Sequence, residues 1–118
     1  MEYVLAWLKA FVLTVVLEEL VAMPLLAGHE PSRGRRAGLI LFGQIASHPA
    51  VWFIFPQLEV PWGQVVVAAE GWAVLSETAF YWLVFRGLGV RRAFGVAALA
   101  NGVSYGVGLA VRAATGWV

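Results

Sequence analysis

The sequence predicts an all-α fold, a four-helix transmembrane bundle running up-down-up-down with both termini outside. Three observations carry this. First, 61% of the 118 residues are hydrophobic and only 13% are charged, with a mean hydropathy of +0.79. A soluble domain carries about 25% charged residues. Second, the apolar residues fall into four runs of membrane-crossing length, at about 3–27, 37–55, 64–85 and 93–116, separated by turn-rich segments. Third, six of the eight basic residues (Arg33, Arg35, Arg36, Arg86, Arg91 and Arg92) fall in the first and third connections. The positive-inside rule puts those connections in the cytoplasm of a multi-pass inner-membrane protein.

Each element can be justified in order. The first run is interrupted only by Lys9, Thr14, Glu18 and Glu19, and Pro24 falls in its last turns. At 1.5 Å per residue it reaches roughly 37 Å, enough to cross a bilayer with some tilt. The segment Gly28 to Arg36 reads as a basic, turn-rich loop. The second run ends at Pro56 and holds Gln44-Ile45-Ala46-Ser47-His48-Pro49. Pro49 cannot donate to the carbonyl of Ile45, which predicts a kink. Gln57 to Gly63 forms a short loop. The third run carries Glu70 and Glu77, and the fourth carries Asn101, Ser104 and Arg112. Trp7, Trp52, Trp62 and Trp117 fall near the outer boundary, where an aromatic belt belongs. No signal peptide is expected, because Met1-Glu2-Tyr3 lacks a positive n-region. The chain forms a single domain, 1–118.

Composition narrows the chemistry. There are no cysteines, so disulfides and thiolate metal sites drop out. The formal net charge of +1 leaves no footprint for nucleic acid. What remains is a set of polar groups at membrane depth. Counted from the cytoplasmic ends, Glu19, Glu77 and Asn101 each lie about 12 Å deep, and His48 and Ser104 about 17 Å deep. With Glu18 they form one layer to which all four helices contribute. Such groups turn inward, toward one another. Three uses are open: a structural polar network, a site that binds a proton or cation, and a catalytic or metal site with Glu19, His48 and Glu77 as the candidate ligands. The spacing lacks any His-x-x-x-His or Glu-x-x-His, so a divalent metal has no helical ligand motif behind it, and no cofactor is predicted.

Other features lie off this layer. Glu70 and Glu77, seven residues apart, share a helix face at an axial separation of about 10 Å. They read either as a polar track or as one inward face with separate partners. Lys9 and Glu70 sit at similar depth below the outer boundary and predict an ion pair between the first and third helices. Arg112 is placed to meet Glu59 or Glu2. Ala98, Gly102, Gly106 and Ala110 repeat every four residues, a stripe that lets helix backbones approach closely. It packs either inside the bundle or against another copy or partner.

Glu19, the basic connection, Ser47-His48-Pro49, Glu70, Glu77, Tyr81 and Asn101-Gly102-Val103-Ser104-Tyr105-Gly106-Val107-Gly108-Leu109 together resemble an uncharacterised family of small four-span bacterial membrane proteins. That family carries Asn-x-x-Thr-(Asn/His)-Pro in its second span and Asn-x-x-Ser-(Phe/Tyr)-x-x-Gly-Leu in its fourth. Gln44 and Ser47 stand here where the family has Asn and Thr, and both keep hydrogen-bonding capacity. The resemblance implies the fold and the polar set, and no activity. Glu18-Glu19 resembles the glutamate pair of prenyl-protein-type intramembrane proteases, but Met23 stands where those enzymes need arginine. Small multidrug transporters share the length and a first-span glutamate but not the remaining pattern. Dual-topology fluoride channels share the size, whereas the arginines here are biased to one side.

Three function classes follow. The first is an accessory or structural subunit of a membrane assembly, preferred because so short a chain is expected to enclose little cavity volume. The second is a small proton- or cation-coupled transporter or channel. The third is an intramembrane enzyme, toward which the sequence leans least. The partners expected are the lipid bilayer and either a homo-oligomer or another membrane protein.

Overall fold

Four helices account for nearly the whole chain, and each begins and ends for local reasons. The computed structural model describes residues 1–117. Helix α1 spans Glu2–Leu25, with Glu2 placing a carboxylate in the positively polarised first turn. Beyond Pro24 the chain closes through Leu26 N–H to the Ala22 carbonyl and leaves the helix at Ala27-Gly28. Helix α2 spans Arg33–Phe53, and the hydroxyl of its N-cap Ser32 accepts from the Arg35 amide at 3.3 Å. A 3-10 turn at Phe55–Gln57, shaped by Pro56, leads toward α3, Trp62–Val84. Gly87 then takes a left-handed φ of +70°, which turns the chain before α4, Val90–Thr115. Gly116, at φ +66°, caps α4 with its amide on the Arg112 carbonyl.

These bounds correct the sequence-based ones. Arg33, Arg35 and Arg36 form the first turn of α2, and Arg91 and Arg92 the first turn of α4, where loops were expected. Ser32 and Gly89 start the helices earlier than the apolar pattern does. Helix α2 runs through Pro49 for one more turn to Phe53.

The helices close into a ring in which each packs against its chain neighbours and α1 packs against α4. Short connections and cross-helix contacts make neighbours antiparallel. Trp7 on α1 meets His48 on α2, Gln44 on α2 meets Glu77 on α3, and Asn101 on α4 also meets Glu77. One end of the bundle therefore carries both termini, and the other carries the arginine-rich connections. At the arginine end, His29 Nδ1 lies 2.9 Å from the Arg86 carbonyl and Arg35 pairs with Glu30 at 3.0 Å. The bundle is 39 Å long.

The two ends are filled differently. Toward the arginine end the axis is closed by Leu26, Ile40, Tyr81, Phe85 and Leu88, all buried, with Ala22, Ala93, Val96 and Ala97 allowing close approach. Toward the terminal end the inward residues are small, including Ala6, Ala10, Ala69, Ala73 and Gly108, and a cavity of about 550 Å³ remains among the four helices. The outer surface is apolar: Val67, Leu75, Leu83 and Leu20 are 64–77% exposed. Two segments, Arg33–Gln57 and Val90–Thr115, are long and apolar enough to cross a membrane. Helices α1 and α3 are of similar length, but Lys9, Glu18 and Glu19 interrupt the first and Glu70 and Glu77 the second.

A carboxylate layer at the floor of the cavity

Gln44 organises the site. Its side-chain amide donates to Glu18 Oε2 at 2.7 Å and to Glu77 Oε1 at 2.6 Å, so one NH₂ group bridges two carboxylates. Asn101 Nδ2 donates to Glu77 Oε2 at 3.0 Å and to the Ala97 carbonyl of its own helix at 2.8 Å. The Ser47 hydroxyl lies 3.5 Å from Glu77 Oε2 and 2.9 Å from the Gly43 carbonyl. The Ser104 hydroxyl lies 3.5 Å from Glu18 Oε1 and 3.1 Å from the Asn101 carbonyl. Each hydroxyl has a single proton, so it serves one of its two acceptors at a time. All of these side chains are buried, Glu18 fully.

Every donor in this layer is neutral. The two carboxylates are met by two amides and two hydroxyls, and among the described residues no lysine, arginine or protonated imidazole touches them. A buried negative charge without a counter-ion is costly.

The cavity ends on this layer. Gln44, Ser47, Glu77, Asn101 and Ser104 form its floor, and Glu70 and His48 stand on its wall. Glu70 is half-buried and, among the described residues, has no hydrogen-bond or ion-pair partner. His48 receives the indole N–H of Trp7 at Nδ1, 3.1 Å away. An indole can only donate, so Nδ1 carries no proton and the ring is the neutral tautomer with its proton on Nε2. The Phe11 ring meets this imidazole edge to face at 5.4 Å. On the far side of the same turn, the indole of Trp72 donates to the Ser47 carbonyl at 3.2 Å, which ties α3 to the backbone just before Pro49.

The structure brings together Glu18, Glu77, Asn101 and Ser104 as the sequence predicts. His48 lines the same cavity but bonds to Trp7. Other expectations are corrected. Glu19 turns away from the layer, because it stands 100° around α1 from Glu18, and its Oε2 is buried without a partner. The candidate metal set Glu19, His48 and Glu77 is thus not assembled, and no group of three His, Asp or Glu side chains gathers among the described residues. Lys9 does not pair with Glu70: it is exposed, with Nζ 5.9 Å from the Trp117 ring centroid. Arg112 is likewise exposed and pairs with neither Glu59 nor Glu2. Helix α4 buries Ala97, Ala100, Asn101 and Ser104, so the stripe Ala98, Gly102, Gly106 and Ala110 is displaced toward the outside, and a Cβ at Gly102 or Gly106 would meet nothing within 4 Å.

Gln44 and Ser47 are the site residues that depth counting missed. Depth places the neutral Asn101 and Ser104 in the layer, but in the second run His48 stands for the helix and Gln44 and Ser47 enter only through the family resemblance. The signal was their place one turn apart on the inward face, directly before His48-Pro49. Searches against protein-family models, curated proteins and solved structures find no match to this chain.

Proposed function

We propose that the chain is a four-span protein of the cytoplasmic membrane, with its arginine end in the cytoplasm, and that it exchanges a small cation from the outer aqueous phase for a proton held on the Glu18–Glu77 pair. The observation that carries this reading is the cavity of about 550 Å³ entering from the terminal end and stopping at Glu77, with the unpartnered Glu70 on its wall. A cation entering there meets two carboxylates in succession and no buried lysine or arginine. The packed arginine end beyond the layer acts as the closed gate of an outward-open state.

Several features support the membrane setting. The surface is apolar while the interior holds the polar groups, the reverse of a soluble bundle. A length of 39 Å covers a hydrocarbon core of about 30 Å with its interfaces. Two of the four helices qualify as spans by composition alone, and the other two depart from that composition at the carboxylates they turn inward. The resemblance to small four-span bacterial membrane proteins, carried by Glu19, the basic connection, Ser47-His48-Pro49, Glu70, Glu77, Tyr81 and the segment from Asn101 to Leu109, is likewise a proposal. The preference for a subunit drew on the expectation of little enclosed volume, and the cavity removes that premise. One observation still favours the subunit reading: the exposed small residues of α4 leave room for a helix from a second chain.

The test is proton movement in liposomes. Protein reconstituted with a trapped pH dye should release protons when a permeant-anion salt of the cation is added outside, and Glu77→Gln should abolish the signal while retaining its place in the membrane. Normal flux from a folded Glu77→Gln protein removes the central residue of the proposal. Because the natural chain has no cysteine, single cysteines at Ser32 and Glu59 report the topology cleanly. Label reaching Ser32→Cys from outside intact cells inverts it.

A further inference from the structure

We infer that the cavity receives a monovalent organic cation with an apolar body, such as a protonated amine or a quaternary onium ion, and that Glu70 is the carboxylate that pairs with it. The inference rests on the proposed outward-open cavity and adds the class of its occupant.

Charge is the first argument. Glu77 is already surrounded by donors from Gln44, Asn101 and Ser47. Glu70 faces the same space about 10 Å nearer the mouth and has no donor. The imidazole of His48 takes the indole N–H of Trp7 at Nδ1 and is the neutral tautomer. Arg112 is the one basic side chain lining the cavity among the described residues, and it is exposed at the rim. The interior is thus electronegative, which repels anions and draws cations inward.

The walls are the second argument. A small inorganic cation stripped of water needs a shell of several oxygens. Alanine, valine and aromatic rings cannot provide one around Glu70. The same surface suits an organic cation, which needs one counter-charge and otherwise favours apolar contact and the faces of aromatic rings. Trp52, Trp62 and Tyr3 line the outer part of the cavity, Tyr105 lines it nearer the layer, and together they supply those rings. The volume of about 550 Å³ sits within the roughly 300–1,000 Å³ typical of sites for organic ligands. Ala69 and Ala73, next to Glu70 on α3, keep the space open at the depth where the charge would rest.

Two probes of the same shape and opposite sign, tetraphenylphosphonium and tetraphenylborate, test this directly. Binding is measured by equilibrium dialysis against the protein in nanodiscs, with empty nanodiscs subtracted. Tetraphenylphosphonium should bind saturably and tetraphenylborate should not. Glu70→Gln, which removes no hydrogen bond of the fold, should retain the melting temperature and weaken phosphonium binding at least tenfold. Trp62→Ala, at the exposed rim, should weaken it severalfold. Equal binding of both ions, binding no greater than to empty nanodiscs, or unchanged affinity in both variants overturns the inference. Flux separates this result from the exchange proposal. Saturable phosphonium binding without proton movement leaves the assignment standing and removes exchange. Proton movement driven by sodium, with no phosphonium binding, does the reverse.

Discussion

The two halves of this bundle use the same four helices and differ in what they place on the axis. From the carboxylate layer toward the arginine end, α3 presents Tyr81 and Phe85, and α1 presents Ala22 and Leu26. Toward the termini, α3 presents Ala73 and Ala69, and α1 presents Ala10 and Ala6. One half is filled by large rings against small partners, and the other is left hollow by small residues on facing helices. The Glu18–Gln44–Glu77–Asn101 layer is the boundary between them. In the membrane setting proposed above, helices gain little from hiding apolar surface from one another, and close packing and hydrogen bonds hold them together. Stability should therefore concentrate in the packed half and the polar layer rather than in the hollow half.

The sharpest way to break this comparison is to open the packed half. Tyr81→Ala removes a fully buried ring and should cost about 3–5 kcal/mol, read as reversible unfolding in mixed micelles. A cost near zero would mean that the two halves are equally loose. Cutting the boundary comes next. Gln44→Leu keeps similar volume but takes both amide donors from Glu18 and Glu77, and should cost about 3 kcal/mol by the same measurement. Unchanged stability would show that the amide bridge does not hold the layer together. The smallest effect on stability belongs to the hollow half. Ala69→Leu places its added atoms in the cavity and should change stability by less than about 1 kcal/mol. It should nonetheless abolish binding of tetraphenylphosphonium, because those atoms sit beside Glu70. A large loss of stability there, with binding intact, would reverse the assignment of the two halves.

Much of the site was legible before any coordinates. Buried ionisable groups in apolar runs stand out in one dimension, and helical rise is enough to place Glu77, Asn101 and Ser104 at one depth. Azimuth was the harder quantity. Glu18 and Glu19 are adjacent in the chain and differ by 100° around α1, so depth alone cannot tell which one faces the axis. The same uncertainty separates the stripe at Gly102 and Gly106 from the buried face of α4 at Ala97, Asn101 and Ser104. The Lys9–Glu70 pair failed for the same reason: matched depth does not tell that Lys9 is exposed while Glu70 faces the cavity.

By itself the sequence determined the number of helices, their apolar surfaces, the clustering of arginine at one end and the depth of the polar residues. These depend on local spacing, chain composition and the fixed rise of a helix along its axis. The tertiary structure decided which residue of each turn faces the axis, that Gln44 rather than His48 joins the two carboxylates, and that the space above them stays open. Those outcomes depend on how four helix faces rotate against one another, and no single helix carries that information in its own sequence.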